Sequence, residues 1–153
     1  MDPTLAGFLS FVRNVMAIPR TALPDSAPVI GMAYNVALTI VNEALQVVGS
    51  ASPAYPTIYA LAVYNLAGDA LVNYAQDVTG STYFADLRKS LNIGGFVSGV
   101  INSSSDEGTS QSLVTPEAMQ GLTFANLQQM KTPWGRTYLG FAQSYGPTVW
   151  GIS

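Results

Sequence analysis

The residues best suited to chemistry are nine carboxylates, and they are scattered along the chain. General acid–base catalysis and the binding of hard metal ions both need two or more carboxylates that converge. Asp69 and Asp77 would lie roughly on one face of a helix but about two turns apart. We expect them to belong to a polar stripe rather than to pair in a site. Asp106, Glu107 and Gly108 lack the alternating oxygen ligands of a calcium loop, and we expect a solvated loop tip there.

The sequence also lacks the residues that other catalytic mechanisms require. The absence of cysteine and histidine excludes thiol nucleophiles, thiolate zinc sites, disulfides and histidine-dependent triads. The sequence has no glycine-rich phosphate-binding motif and no nucleophile-elbow motif, and Lys89 and Lys131 have no evident base beside them. Only Arg88 and Lys89 are adjacent among six basic residues, which is too few for tight phosphate binding. We expect a protein that is not an enzyme, with no catalytic residues, no metal and no cofactor.

The composition indicates a surface that is poor in charged residues. A chain of 153 residues forms one domain of ordinary size and can bury a core. Its charged residues make up only 10%, against about 25% in a typical soluble domain, and its net charge is −3. Such a surface resists association weakly, so either the protein is sticky or much of its surface is meant to be covered. No signal peptide or membrane span is expected, which indicates synthesis in a cytoplasm.

The longest apolar stretch, Ser26 to Asp77, is interpreted as two helices joined at Gly49–Pro56. A surface helix needs an apolar stripe only a little over ~100° wide, whereas these two are apolar around most of their circumference. We expect an antiparallel helix pair that is covered partly by the chain itself and partly by neighbouring copies. The polar residues follow one line in each helix: Gly31, Asn35, Thr39, Asn42 and Gln46 in the first, and Asn65, Asp69, Asn73 and Gln76 in the second.

Shorter elements flank this pair. Asp2 and Pro3 are expected to cap and begin an amphipathic helix that ends at Pro19. Ser81 begins a short helix that ends at Gly94, and a further short helix runs from Phe124 to Met130. Thr132 and Pro133 form a helix start of the same kind as Asp2 and Pro3, and this last helix runs to Tyr145.

Residues 96–115 differ from the rest, because short apolar pairs flank a Ser/Gly-rich centre. This pattern predicts a long β-hairpin or extended arm, with a plain solvent loop as the alternative. The predicted fold is mainly α, in a single domain over residues 1–153. It comprises a helical bundle over 1–93, an extended arm or hairpin over 94–116, C-terminal helices over 117–146 and an extended tail over 147–153.

The order of these features resembles the head–tail adaptor (connector) proteins of tailed bacteriophages. An apolar helix is followed by a Gly/Ser-rich extended segment, and then by a helix that begins with Thr-Pro-aromatic-Gly-Arg and carries further aromatic residues. The segments that carry the resemblance are Leu61–Leu71, Gly99–Thr115, Thr132–Arg136, Tyr138-Leu139 and Tyr145-Gly146. The resemblance spans most of the chain, although the N-terminal helix and the last residues have no matched segment.

The resemblance implies a structural virion protein of the phage neck, made in the bacterial cytoplasm. Such proteins form a ring of about a dozen copies, a dodecameric ring, below the portal protein. The ring extends the DNA channel, lets DNA pass without sequence-specific binding, involves no membrane and docks the next neck or tail protein. The extended arm and the tail would be the docking parts. The candidate partner-binding residues are Phe96, Val100, Ile101, Leu113, Val114, Val149, Trp150 and Ile152.

Two alternatives remain open at this stage. The chain could be another oligomeric virion component, such as a stopper or a tail-completion protein, and its position in the virion separates these from an adaptor. It could instead be a small non-enzymatic regulatory or inhibitor protein that acts through a helical groove. That alternative predicts a stable complex with a host protein and absence from purified particles.

Overall fold

The computed structural model of the chain describes residues 2–47, 55–95, 100–104, 111–114 and 124–145. Its packed body comprises the first two ranges and the last. This body contains six α-helices and no strand, and helical residues make up 68% of it. The helices are α1 (Leu5–Asn14), α2 (Pro28–Ile40), α3 (Ile58–Tyr74), α4 (Tyr83–Ser90), α5 (Phe124–Gln129) and α6 (Pro133–Tyr145). Among the helices of these ranges, none is both long and apolar enough to cross a bilayer.

Helix α3 is the centre of the packed body. It packs most extensively on α2 and α6, and it also contacts α1, α4 and a 3-10 turn at Glu43–Val47. Thirteen of its seventeen residues are buried. Small residues let neighbouring helices approach closely: a Cβ at Gly68 would lie 3.1 Å from Met16 Sδ and 3.4 Å from the Trp134 ring. The expectation that neighbouring copies complete the cover is therefore wrong for α3, because its own chain covers it.

Helix α1 begins two residues later than a cap at Asp2 would place it. Thr4 is the N-cap, and its Oγ1 accepts a hydrogen bond from the Gly7 amide at 3.0 Å. The Thr4 amide in turn donates to the Tyr64 hydroxyl at 3.0 Å, which attaches the start of α1 to α3. The predicted cap at Asp2 is wrong by two residues. The predicted apolar face is largely confirmed, since Phe8 and Val12 are fully buried.

Helix α2 is shorter than the sequence pattern predicts. Asp25 does not cap it but accepts a hydrogen bond from Arg13, and the helix begins at Pro28 without a side-chain cap. It ends at Ile40 rather than at Gly49, because Val41 is extended and Asn42 begins a different turn. The Asn42 Oδ1 atom accepts a hydrogen bond from the Ala44 amide at 2.9 Å. Asparagine competes with helical backbone bonding in this way.

Aromatic contacts fix the relative direction of α2 and α3. The Phe8 ring lies 6.1 Å from the ring of Tyr34 in α2 and 6.2 Å from that of Tyr64 in α3, so these residues lie at one level. Further along, Ile40 and Tyr74 line a single cleft. The C-terminal ends of α2 and α3 therefore lie side by side, and the helices run in the same direction. The predicted antiparallel pair is therefore wrong, and α2 ends at Ile40 rather than at the expected junction.

Helix α4 closes the C-terminal end of α3. The Arg88 guanidinium donates hydrogen bonds to the carbonyl oxygens of Val72, at 2.8 Å, and of Ala75. Asp77 accepts hydrogen bonds from the amides of Phe84 and Ala85, at 2.7 and 3.0 Å, and so satisfies the first turn of α4. The end of α3 and the beginning of α4 are thereby joined by charge-assisted bonds on both sides.

Two short strands lie between α4 and α5 in the sequence. β1 (Val100–Ser104) and β2 (Gln111–Val114) pair with each other in antiparallel register, and the described residues contain no third strand beside them. The predicted insertion of a long β-hairpin or extended arm into the fold is wrong, because the packed body is helical and includes no hairpin. A short two-stranded ladder buries too little to add a stable layer. Residues 96–99, 105–110 and 115 of the predicted arm lie outside the described residues.

Candidate functional site

Asp69 is the one buried carboxyl group among the described residues, and only 7% of the residue is exposed. It lies on α3, where Thr132 Oγ1 donates a hydrogen bond to its Oδ1 at 2.5 Å. Burial raises the pKa of Asp69 to about 6, and the hydrogen bond from Thr132 opposes this shift without cancelling it. A carboxyl group with such a pKa exchanges its proton near neutral pH, unlike an exposed aspartate.

Thr132 joins this carboxyl group to the start of α6. Its Oγ1 donates to Asp69 and accepts a hydrogen bond from the Gly135 amide at 3.0 Å, as an N-cap does. Gly135 has no room for a side chain: a Cβ there would lie 1.9 Å from the Gln129 carbonyl oxygen and 2.9 Å from Asp69 Oδ1. The threonine and glycine of the Thr-Pro-Trp-Gly-Arg segment therefore hold α5 and α6 against α3.

The other residues of this segment have structural contacts as well. Pro133 occupies the first position of α6, where a missing N–H costs nothing. Trp134 packs beside Gly68, and Arg136 donates a hydrogen bond to the Met130 carbonyl oxygen at 3.0 Å. Each residue of the Thr-Pro-Trp-Gly-Arg segment, which carries the resemblance, thus has a structural role within the chain.

A cleft of 360 Å³ opens beside Asp69, between α2, α3 and α5. We call it the Asp69 cleft. One side of it is apolar and the other polar, and the apolar residues at its mouth are half exposed. Its main lining residues are Val36 and Ile40 from α2, Asp69, Asn73 and Tyr74 from α3, and Gln129 from α5.

Hydrogen bonds within the chain engage part of the polar lining of the cleft. The Asn73 amide donates to the Asp69 backbone carbonyl oxygen at 2.8 Å, and the Thr132 hydroxyl donates to the Asp69 side chain. Gln129 Oε1 is buried and has no hydrogen-bond partner among the described residues. A buried acceptor without a donor is costly, by roughly 1–3 kcal/mol. Asp69 is the one charged residue in the lining, so its carboxylate has no basic partner in the cleft.

Asp69 and Asp77 do not converge. Asp77 binds the backbone amides at the start of α4, whereas Asp69 binds Thr132. The expectation that they do not pair is confirmed, but the expected polar stripe is wrong for Asp69, which lies beneath α6. In the described part of the chain no three carboxylates form a group that could hold a metal ion.

A second surface is formed by α2. Met32, Val36 and Ile40 follow one another at a spacing of four residues, which places them on one side of the helix. Met32 is 47% exposed and Ile40 is 54% exposed, and Tyr74 of α3 is 51% exposed beside the same cleft. Helix α2 contains no charged residue. We call this set, Met32, Val36, Ile40 and Tyr74, the α2 face.

An apolar groove of 640 Å³ lies between α1 and the start of α2. Leu5 and Leu9 line it from α1, and Ile30 lines it from α2. Leu5 is 49% exposed at this groove. We call it the α1–α2 groove.

The structure places only part of the predicted partner-binding set. Val100 is opposite Val114 and Ile101 is opposite Leu113 in the ladder of β1 and β2, so the backbone brings these four positions together. The other predicted residues lie outside the described residues: Phe96, Val149, Trp150 and Ile152.

Comparisons with other proteins were made at three levels. No protein-family model, no curated protein and no solved structure matches this chain.

Proposed function

We propose that the chain is a structural subunit of a phage neck that assembles with copies of itself into a ring below the portal protein. The ring extends the DNA channel and docks the next neck or tail protein. The order of the sequence motifs supports this role, and the observation that carries it is the α2 face. This face leaves apolar side chains exposed on a helix without charge.

The α2 face favours association for a simple energetic reason. Removing apolar surface from water contributes about 25 cal/mol per Å². Charged residues normally oppose such contacts, yet neither α2 nor the polar line of Asn35 and Thr39 beside the face carries a charge. A subunit whose α2 face is covered by neighbouring copies needs no charged residues there to prevent association.

A closed ring requires two different complementary surfaces on each subunit, because head-to-tail contacts are heterologous. The α2 face and the α1–α2 groove are both apolar and occupy different parts of the packed body. They provide a pair of surfaces from which such a contact can be built.

The test is assembly of the purified chain, alone and mixed with portal protein. Light scattering and negative-stain electron microscopy are expected to show rings or portal-bound particles. Met32→Glu and Ile40→Glu place charges on the α2 face and are expected to abolish them. Val15→Glu, at the exposed apolar residue that follows α1, is the matched control and should still assemble. A strictly monomeric chain that never joins a portal particle contradicts the proposal.

The α1–α2 groove favours one alternative, a regulatory or inhibitor protein that binds a host protein through a helical groove. Such a protein would be absent from purified virions. A stopper or tail-completion protein would be present in them but would contact the adaptor rather than the portal. Mass spectrometry of virions, followed by crosslinking to portal, separates the three.

A further inference from the structure

We propose that the Asp69 cleft binds a cationic nitrogen group carried on a short apolar stem, as in an alkylammonium, an alkylguanidinium, or a lysine or arginine side chain. This inference does not depend on the ring, because it concerns the inside of a single subunit. It rests on the combination of one carboxyl group, one unpartnered acceptor and an apolar mouth in the same cleft.

The polar end of the cleft defines the charge and hydrogen bonding of the ligand. Thr132 donates its hydroxyl hydrogen to Oδ1 of Asp69, and Asn73 uses one of its two amide N–H groups on the Asp69 backbone carbonyl oxygen. Gln129 Oε1 has no hydrogen-bond partner among the described residues. An ammonium group has three N–H donors and a guanidinium has five, so either can donate to the Asp69 carboxylate and to a second acceptor. A charged donor also forms the stronger kind of hydrogen bond to a carboxylate.

The apolar end defines the stem. Val36, Ile40 and Tyr74 are among the apolar residues that line the cleft, and Ile40 and Tyr74 are each about half exposed. A stem of a few methylene groups would lie against these side chains while its head reaches Asp69. Lysine and arginine are built in this way, with an apolar stem and a charged end.

Other ligand classes fit less well. An anion would face a carboxylate and an amide oxygen, and none of the main lining residues is basic. A hard metal ion prefers six or more oxygen ligands, whereas the cleft supplies one carboxylate and one free amide oxygen. A neutral donor would satisfy Gln129 but leave the buried carboxylate without a counter-charge.

Few other charged groups lie on the elements around Asp69. Helices α2 and α5 carry none, and α3 carries only Asp69 itself. Arg88 of α4 binds carbonyl oxygens at the end of α3, Arg136 of α6 binds the Met130 carbonyl oxygen, and Arg13 of α1 binds Asp25. The remaining charged residues of these elements are Glu43 on the 3-10 turn that contacts α3, Asp86 and Lys89 on α4, and Lys131 before α6. The titratable phenols are Tyr34 on α2, Tyr59, Tyr64 and Tyr74 on α3, Tyr83 on α4, and Tyr138 and Tyr145 on α6.

The experiment is a titration of the ¹⁵N-labelled full chain with n-butylammonium chloride at pH 7.5, followed by amide NMR shifts. Two matched ligands separate charge from stem: ammonium chloride has the charge alone, and 1-butanol has the stem alone. We expect butylammonium to shift amides of residues 36–40, 66–74 and 128–129, with a dissociation constant of about millimolar order for so small a ligand. The proposal is overturned if either matched ligand produces shifts equal to those of butylammonium, or if these amides do not shift at all. The cleft would then hold only water.

Three variants test the residues. Asp69→Asn retains an oxygen for Thr132 but removes the charge, and we expect butylammonium binding to weaken about tenfold or more. Asp86→Asn makes the same change on the exposed side of α4 and should bind like wild type. Ile40→Ser removes an apolar wall at a half-exposed position, so the fold survives even where Asp69→Asn does not fold. Its binding should weaken about threefold. Wild-type affinity in both cleft variants overturns the proposal.

Two further conditions sharpen the test. At pH 5 a proton competes for Asp69, so binding should be about tenfold weaker than at pH 7.5, and an unchanged affinity contradicts a role for Asp69. A capped pentapeptide with one lysine, compared with its norleucine equivalent, identifies the source of the group. Tighter binding of the lysine peptide than of butylammonium supports a protein side chain as the ligand, and weaker binding supports a free amine.

Discussion

Helices α2 and α3 look alike in sequence but are buried to very different extents. Both are apolar around most of their circumference. The chain buries thirteen of the seventeen residues of α3 against α1, α2, α4 and α6, whereas α2 is covered on one side and exposes Met32 and Ile40 on another. An apolar surface around most of a helix therefore predicts that the helix is covered, but it does not tell whether the cover comes from the same chain. Of these two helices, α2 leaves more apolar surface exposed.

The largest expected effect follows from truncation of matched apolar residues in the two helices. Leu71→Ala removes a fully buried side chain from α3 and should lower the free energy of unfolding by about 2–5 kcal/mol. Ile40→Ala removes a half-exposed side chain from α2 and should cost less than about 1 kcal/mol in the dissociated subunit. Urea denaturation at low protein concentration measures both. Equal costs would show that α2 and α3 do not differ in burial.

The pH dependence of the free energy of unfolding tests whether Asp69 is buried on α3. The folded pKa of Asp69 is raised from 3.8 to about 6, so the folded state holds a proton that the unfolded state has lost between these values. The contribution of Asp69 therefore falls as pH rises from about 4 to 6, by at most roughly 3 kcal/mol, and is level above that range. Urea denaturation of wild type and Asp69→Asn at several pH values measures it. Identical pH slopes would show that Asp69 is not desolvated.

The contact between α3 and α6 is tested at two glycines of α6. Gly135→Ala forces a methyl group against the Gln129 carbonyl oxygen and should cost about 1–3 kcal/mol. Gly140→Ala is the control, because nothing lies near its added Cβ and alanine is the better helix former by about 1 kcal/mol. Thermal denaturation should therefore shift in opposite directions for the two variants. A stabilised Gly135→Ala would refute the close approach of α6 to the Gln129 carbonyl oxygen at the end of α5.

The smallest expected effect compares a glycine in each central helix. Gly31 of α2 has open space around an added Cβ, so Gly31→Ala should raise stability by about 0.5–1 kcal/mol. Gly68 of α3 lies against Met16 and Trp134, so Gly68→Ala should raise stability by less than Gly31→Ala or should lower it. Differential scanning calorimetry resolves the difference. A larger gain at Gly68 than at Gly31 would mean that α3 is less tightly packed than α2.

The sequence predicted the existence of the helices better than their arrangement. Hydrophobic periodicity located α1, α3 and α6, and the Thr132-Pro133 pair also located the start of α6, because these signals are local. The end of α2 was missed because the bond from Ala44 to Asn42 competes with helix continuation. Its direction relative to α3 was also missed, since a helix that is apolar on most sides carries no directional signal.

The candidate site was missed for a related reason. An aspartate among apolar residues and a threonine before proline are both visible in the sequence, and each was noted for its local role. Their hydrogen bond joins positions 69 and 132, which are 63 residues apart. No local pattern reports a pairing over that distance. The sequence does contain one relevant signal, because Asp69 lies among apolar residues of a helix that is expected to be covered. A carboxylate at such a position needs a hydrogen-bond partner rather than solvent.

The position of α6 on α3 also affects how the chain is made. A ribosome that adds about 5–20 residues per second finishes α3 several seconds before it reaches Thr132. During that interval the nascent chain exposes the side of α3 that α6 later covers, including Asp69. Folding of the centre therefore waits for the C-terminal helices. A translational stall or truncation before residue 132 would leave an aggregation-prone intermediate for chaperones to hold.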